Sequence, residues 1–149
     1  MDFSLEALQK RLLPFFEQCP EVAFAVIFGS VATNRVTPLS DLDIAVFIDR
    51  LKICESAYPY GYHANLLSRL MSLLKTNELD IVILNDAPPV LKHRILTQGK
   101  TVFCRAPSIQ RKIFIQALHR YQDTARLRRI QQIYFQRDLK NLGDAKPHG

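Results

Sequence analysis

Apolar residues fall at helical spacing at the start of the chain and at strand spacing soon after. Leu5, Leu8 and Leu12 recur every three or four residues behind Ser4, with Glu6 in the first turn, which predicts a capped amphipathic helix that Pro14 kinks or ends. Residues 21–28 (EVAFAVIF) form a short, almost unbroken apolar run between Pro20 and Gly29, rich in β-branched and aromatic side chains, as expected of a buried strand. Residues 43–48 (DIAVFI) and 79–84 (LDIVIL) predict two more strands, and residues 64–75 (ANLLSRLMSLLK) between them carry helical spacing. After Pro88 and Pro89, VLKHRILTQ predicts a helix closed by Gly99, followed by a last short strand, TVFCR. No Gly or Pro interrupts residues 108–142, where Phe114, Leu118, Tyr121 and Ala125 and then Ile130, Ile133 and Tyr134 predict one long helix or two in succession. Strand, helix and strand in this order predict an α/β (α+β) fold, a mixed sheet flanked by helices with a long C-terminal helical segment. The expected division is a core over residues 1–106, the helical segment over 107–142 and a flexible tail over 143–149.

At 149 residues and 48% hydrophobic composition, the chain suffices for one domain with a real core. Its first residues carry acids and helical spacing rather than a basic flank and an apolar run, and no apolar stretch approaches bilayer length, so a cytoplasmic protein with no membrane partner is expected. Cys19, Cys54 and Cys104 are odd in number and widely spaced, which argues for buried thiols over a disulfide framework or a zinc site. The net charge of +6 is uneven. Residues 1–104 hold ten basic and eleven acidic side chains, whereas residues 105–149 hold ten and three. A neutral front with a basic end suits an arm for an acidic surface as well as it suits a solvated helix face, and it makes nucleic acid an unlikely main partner.

Three places in the sequence carry candidate chemistry. Gly29, at the end of a strand, lets a backbone turn approach a bulky anion, and Ser30 adds a hydroxyl and an N–H; a short helix over residues 31–35 would point its amino end at the same anion. The same two residues also suit a plain turn. Asp41 and Asp43 are two apart, so on a strand they share a face at about 6.6 Å along the backbone. Two bare carboxylates about 5 Å apart repel by about 3 kcal/mol at an effective dielectric near 20, so keeping both ionised calls for a cation, and oxygen donors favour Mg²⁺. A turn pair beginning a solvated edge is the alternative. Asp80 opens the third strand; if that strand lies beside residues 43–48, its carboxylate joins the pair.

The joint pattern is a strand, Gly-Ser, ten intervening residues, Asp-x-Asp opening the next strand and a later strand opening with a third Asp. It resembles the signature of the DNA polymerase beta superfamily of nucleotidyltransferases. Within that superfamily, chain size and the run LDIVILND…PPVLKHRILTQGKTVF are most similar to the minimal nucleotidyltransferases, in particular the MntA-like antitoxins that pair with HEPN-domain toxins. The resemblance covers about residues 20–142. It implies that Gly29 and Ser30 form the triphosphate-binding corner, that Asp41, Asp43 and Asp80 are the catalytic and metal-binding acids, and that Mg²⁺ and ATP serve as cofactor and nucleotide donor. Where many relatives continue with a small-residue, Arg-Gly pattern, this chain has Val31, Ala32, Thr33, Asn34 and Arg35, so the phosphate-contacting arginine has either moved to Arg35 or been lost. The implied activity is transfer of AMP from ATP to a tyrosine hydroxyl of a HEPN toxin ribonuclease, in a hetero-oligomer that the basic segment helps to dock. Rival readings are a small-molecule nucleotidyltransferase of the aminoglycoside type, an idle antitoxin that works by masking, and template-free addition of nucleotides to RNA.

Overall fold

The computed structural model describes residues 4–32 and 41–144. Its elements are α1 (Leu5–Glu17), β1 (Val22–Phe28), β2 (Leu42–Ile48), α2 (Tyr62–Leu74), β3 (Leu79–Ile83), α3 (Pro89–Gln98), β4 (Lys100–Cys104) and α4 (Pro107–Asp144). Short 3₁₀ turns at Arg50–Lys52, Glu55–Ala57 and Leu84–Asp86 were not legible in the hydrophobic pattern. The strands form one sheet in the order β3-β2-β1-β4. β1 runs antiparallel to both β2 and β4, while β2 and β3 are parallel and are joined through α2, as a parallel pair requires.

Each face of the sheet is covered by helices whose apolar stripes the sequence specifies. On one face, Leu8, Leu12 and Phe16 of α1 and Leu66, Leu70 and Leu74 of α2 repeat every four residues and pack on Ile27, Ile44, Val46 and Ile81. On the other, Ile95 of α3 joins Phe24, Val26, Ala45 and Leu84. A register slip between Val22 and Phe24 turns Ala23 and Phe24 onto this same face. Phe24 stacks on Phe47 there at 5.5 Å.

Three expectations need correction. Of the two outcomes expected at Pro14, a kink or an end, the end does not occur: α1 continues to Glu17. Pro14 and Lys10 lie on the exposed side, where water can satisfy the Lys10 carbonyl that loses its partner, and buried Leu12 and Phe16 hold the turns on either side. The C-terminal segment is one helix, and it runs through Gly143 to Asp144 into the stretch expected to be tail. Of the three free cysteines Cys19 is buried, but Cys54 is exposed and Cys104 only half-buried.

α4 is anchored by its first half. Ala117 is buried, and Tyr121 is sandwiched, with His93 of α3 stacked at 3.8 Å and the Arg128 guanidinium 3.9 Å from the ring centre. No described helix is long and apolar enough to cross a membrane.

Candidate active site

The site lies where β1 ends and β2 and β3 begin. In the antiparallel pair Phe28 is opposite Asp43, and in the parallel pair Asp43 is opposite Asp80, so Asp43 stands between the Gly29 corner and the third acid. Strand alternation puts Asp43 on the α3 face with Ala45, and Asp80 on that face with Val82. Leu42, Ile44 and Ile81 point the other way into the core, and this fixes the direction of the acids beside them.

Gly29 has φ +77°, the left-handed region in which a side chain is strained. A Cβ at this position would also overlap the Asp43 carboxylate. The corner is therefore built around direct approach of Asp43 to backbone. Gly29 to Ala32 form turns rather than the start of a helix, with Ser30 half-buried among them. Arg35 lies outside the described residues, as does the rest of the expected short helix.

The electrostatics single out Asp43. Burial pushes its carboxyl above the usual range, and the neighbouring charges of Asp80 and Asp41 push it further. Asp41, at the edge of the described segment, and Asp80 are both exposed. Asp80 Oδ1 accepts a hydrogen bond from the Ile81 N–H at 2.9 Å, which turns that oxygen along the strand. Accordingly, among the described residues no three His, Cys, Asp or Glu side chains are already drawn together as a metal cage. What the acids do present is an all-oxygen donor set of concentrated negative charge, the chemistry that suits a hard divalent cation.

A cavity of about 370 Å³ opens beside this corner, lined by Phe28, Gly29, Asp43, Leu91, Arg94 and Gln98. Arg94 and Gln98 come from α3 and escaped the sequence reading. Leu91, Arg94 and Gln98 follow one another at helical spacing, but nothing in that spacing says which strand end the helix face covers. The Arg94 side chain is exposed to the cavity and pairs with no other described residue. Its cation and the Asp43 carboxylate line the same cavity.

Acids at or just before the starts of two parallel strands, a glycine corner beside Asp43 and an arginine across the cavity make up the candidate site of an α/β enzyme fold. The chain belongs to the polymerase beta nucleotidyltransferase family, whose model matches residues 10–108. It is similar to a chain of a toxin–antitoxin crystal structure with AMP-PNP, at 23% identity and a TM-score of 0.68, over 85% of this chain and 98% of that one. A second similar structure is a MntA–HpeT toxin–antitoxin mutant in which two aspartates, two positions apart, are changed to glutamate (22% identity, TM-score 0.66, 91% and 99% covered). A third is the tri-AMPylated Shewanella oneidensis HEPN toxin in complex with MNT antitoxin (22%, TM-score 0.63, 87% and 98% covered). Comparison with curated proteins gives no match.

Proposed function

We propose that this chain is an antitoxin that transfers AMP from ATP to a tyrosine hydroxyl of a HEPN toxin and so silences it. The carrying observation is Asp43, its carboxyl pushed up by burial and by Asp80 and Asp41, set directly against the glycine corner of a nucleotidyltransferase fold. Support for the partner comes from the similar structures, which are toxin–antitoxin complexes, one with AMP-PNP and one with an AMP-bearing toxin. The acid pair altered in one of them has the spacing of Asp41 and Asp43.

In this reading Asp41, Asp43 and Asp80 hold Mg²⁺, which, when bound, offsets the charge on the acids and on the triphosphate. Gly29 and Ser30 offer backbone and hydroxyl donors to the phosphates, and Arg94 supplies the cationic contact. Asp80 takes the proton of the acceptor hydroxyl, whose ordinary pKa near 10 makes it a poor nucleophile at neutral pH. The acceptor oxygen bonds to the α-phosphorus, the bond from that phosphorus to the bridging oxygen breaks, and pyrophosphate leaves.

The test is intact-mass measurement of a HEPN toxin from the same genome after incubation with Mg-ATP and this chain. The expected result is a mass gain in whole AMP units, mapped to tyrosine and lost with Asp43→Asn. Full neutralisation of the toxin at unchanged mass would instead establish masking.

A further inference from the structure

The last part of α4 stands clear of the rest of the molecule. From Arg129 to Asn141 every residue is exposed, a run of about 20 Å at 1.5 Å per residue. A free helix of this length is marginal in water, and surface helices keep their large apolar residues on the covered side. This one does the opposite: Leu127, Ile133, Tyr134, Phe135 and Leu139 are all more than half exposed, and Ile130 is 39% exposed.

The arrangement of these side chains narrows what covers them. At about 100° per residue, Leu127, Ile130, Ile133 and Tyr134 share an arc of about 120°, and Phe135 and Leu139 lie on a separate arc in line with buried Ala117 and with Tyr121. Arg126 and Arg137 project from within the first arc, so charge and apolar surface interleave. A lipid surface selects helices whose two faces are segregated, which this one lacks. A second copy is disfavoured as well. Residues 126–141 hold five basic side chains against the one acid Asp138, and two such tips repel. Apolar groups on two sides with arginines between them fit a groove that grips the helix from both sides and carries carboxylates along its rim.

The basic segment carries Arg126, Arg128 and Arg129 close together, and one of the three is already engaged. Arg128 donates to the Tyr121 carbonyl at 3.0 Å and to the Thr124 hydroxyl, and lies over the Tyr121 ring. Arg126 and Arg129 are exposed and make no such contacts among the described residues.

We infer that residues 127–139 of α4 form a helix-in-groove docking element for an acid-rimmed apolar groove on the protein that this chain modifies. Ile130, Ile133, Tyr134 and Phe135 supply the anchors, and Arg126 and Arg129 supply steering. The inference rests on the antitoxin reading, in which that protein is the HEPN toxin.

The test uses the full chain and the HEPN toxin of the modification assay. Ile130→Glu combined with Ile133→Glu is expected to weaken association at least tenfold, while Mg-ATP binding and the far-ultraviolet helix signal stay as in wild type. Arg126→Glu with Arg129→Glu is expected to slow association and flatten its salt dependence, whereas Arg128→Glu acts through the stability of α4. Wild-type affinity in the Ile130/Ile133 variant overturns the docking element and leaves the antitoxin reading standing. A wild-type chain that neither binds nor modifies the toxin overturns both. Sedimentation of the chain alone as a dimer that the isoleucine variant disperses would assign the surface to a second copy, and tight single-stranded RNA binding lost in the same variant would assign it to nucleic acid; either result overturns the inference.

Discussion

The Asp43 carboxylate occupies the place where a side chain at residue 29 would begin. Gly29 follows directly on β1, whose last residue Phe28 is opposite Asp43 of the antiparallel β2, and residue 29 can yield this space because it is glycine at φ +77°. The placement of the Asp43 carboxylate therefore depends on a neighbouring position that has no side chain.

Gly29→Ala is expected to remove nucleotide transfer and to destabilise the fold by about 1–2 kcal/mol from the left-handed backbone alone, with a further cost from displacing Asp43. Thermal melting with and without Mg-ATP, together with the transfer assay, checks both parts. An alanine variant as active as wild type would detach the corner from the reaction.

Asp43 holds its proton more tightly in the folded state than in the unfolded chain, because of burial first and then Asp80 and Asp41. The wild type is therefore relatively most stable below the ordinary carboxylate pKa, and loses stability as pH rises through the raised value. Asp43→Asn carries no such charge. Its melting temperature relative to wild type should climb with pH, and added Mg²⁺ should narrow the gap by stabilising only the wild type. Melting curves across pH 3–8 decide this, and a pH-independent difference would contradict it.

Arg94→Ala is expected to raise the KM for ATP about tenfold to a hundredfold, the worth of a charge-assisted hydrogen bond, and to leave adenosine binding unchanged. Arg94→Lys should recover part of the loss. Calorimetric titration with ATP, ADP and adenosine separates a phosphate contact from a change in pocket shape, which would weaken all three alike.

Asp80→Asn is expected to keep ATP and toxin binding while slowing transfer about a hundredfold or more, because it removes the group that takes the proton. Single-turnover measurements at saturating ATP and toxin test the chemical step without interference from binding. A shallower dependence of the rate on rising pH in wild type than in the variant is the accompanying signature, since a more ionised acceptor needs less help in the variant.

Much of this architecture is legible in local patterns. The four strands, the four-residue stripes of α1 and α2 and the closure of α3 before Gly99 follow from short apolar runs, helical spacing and terminating residues, all of which act over a few neighbours. The spacing of Asp41 and Asp43 predicts a shared face of an extended chain for the same reason. Pro14 shows where such reasoning overreaches. Sequence marks a helix breaker, but whether the helix breaks depends on the packing of Leu12 and Phe16 around it.

Relations between distant segments belong to the tertiary structure. The parallel pairing that sets Asp80 beside Asp43, the lay of α3 that brings Arg94 to the Gly29 cavity, and the engagement of Arg128 by Tyr121 join residues whose separation along the chain is not reflected in any local periodicity. The sequence by itself determined which residues could turn inward, which could carry charge and where the backbone could bend, because those are properties of single side chains and their near neighbours. Which acid meets which glycine, and how much of α4 is left without a covering layer, was decided only when two helical layers and one sheet had to close over a common core, since burial is a property of the whole packed chain.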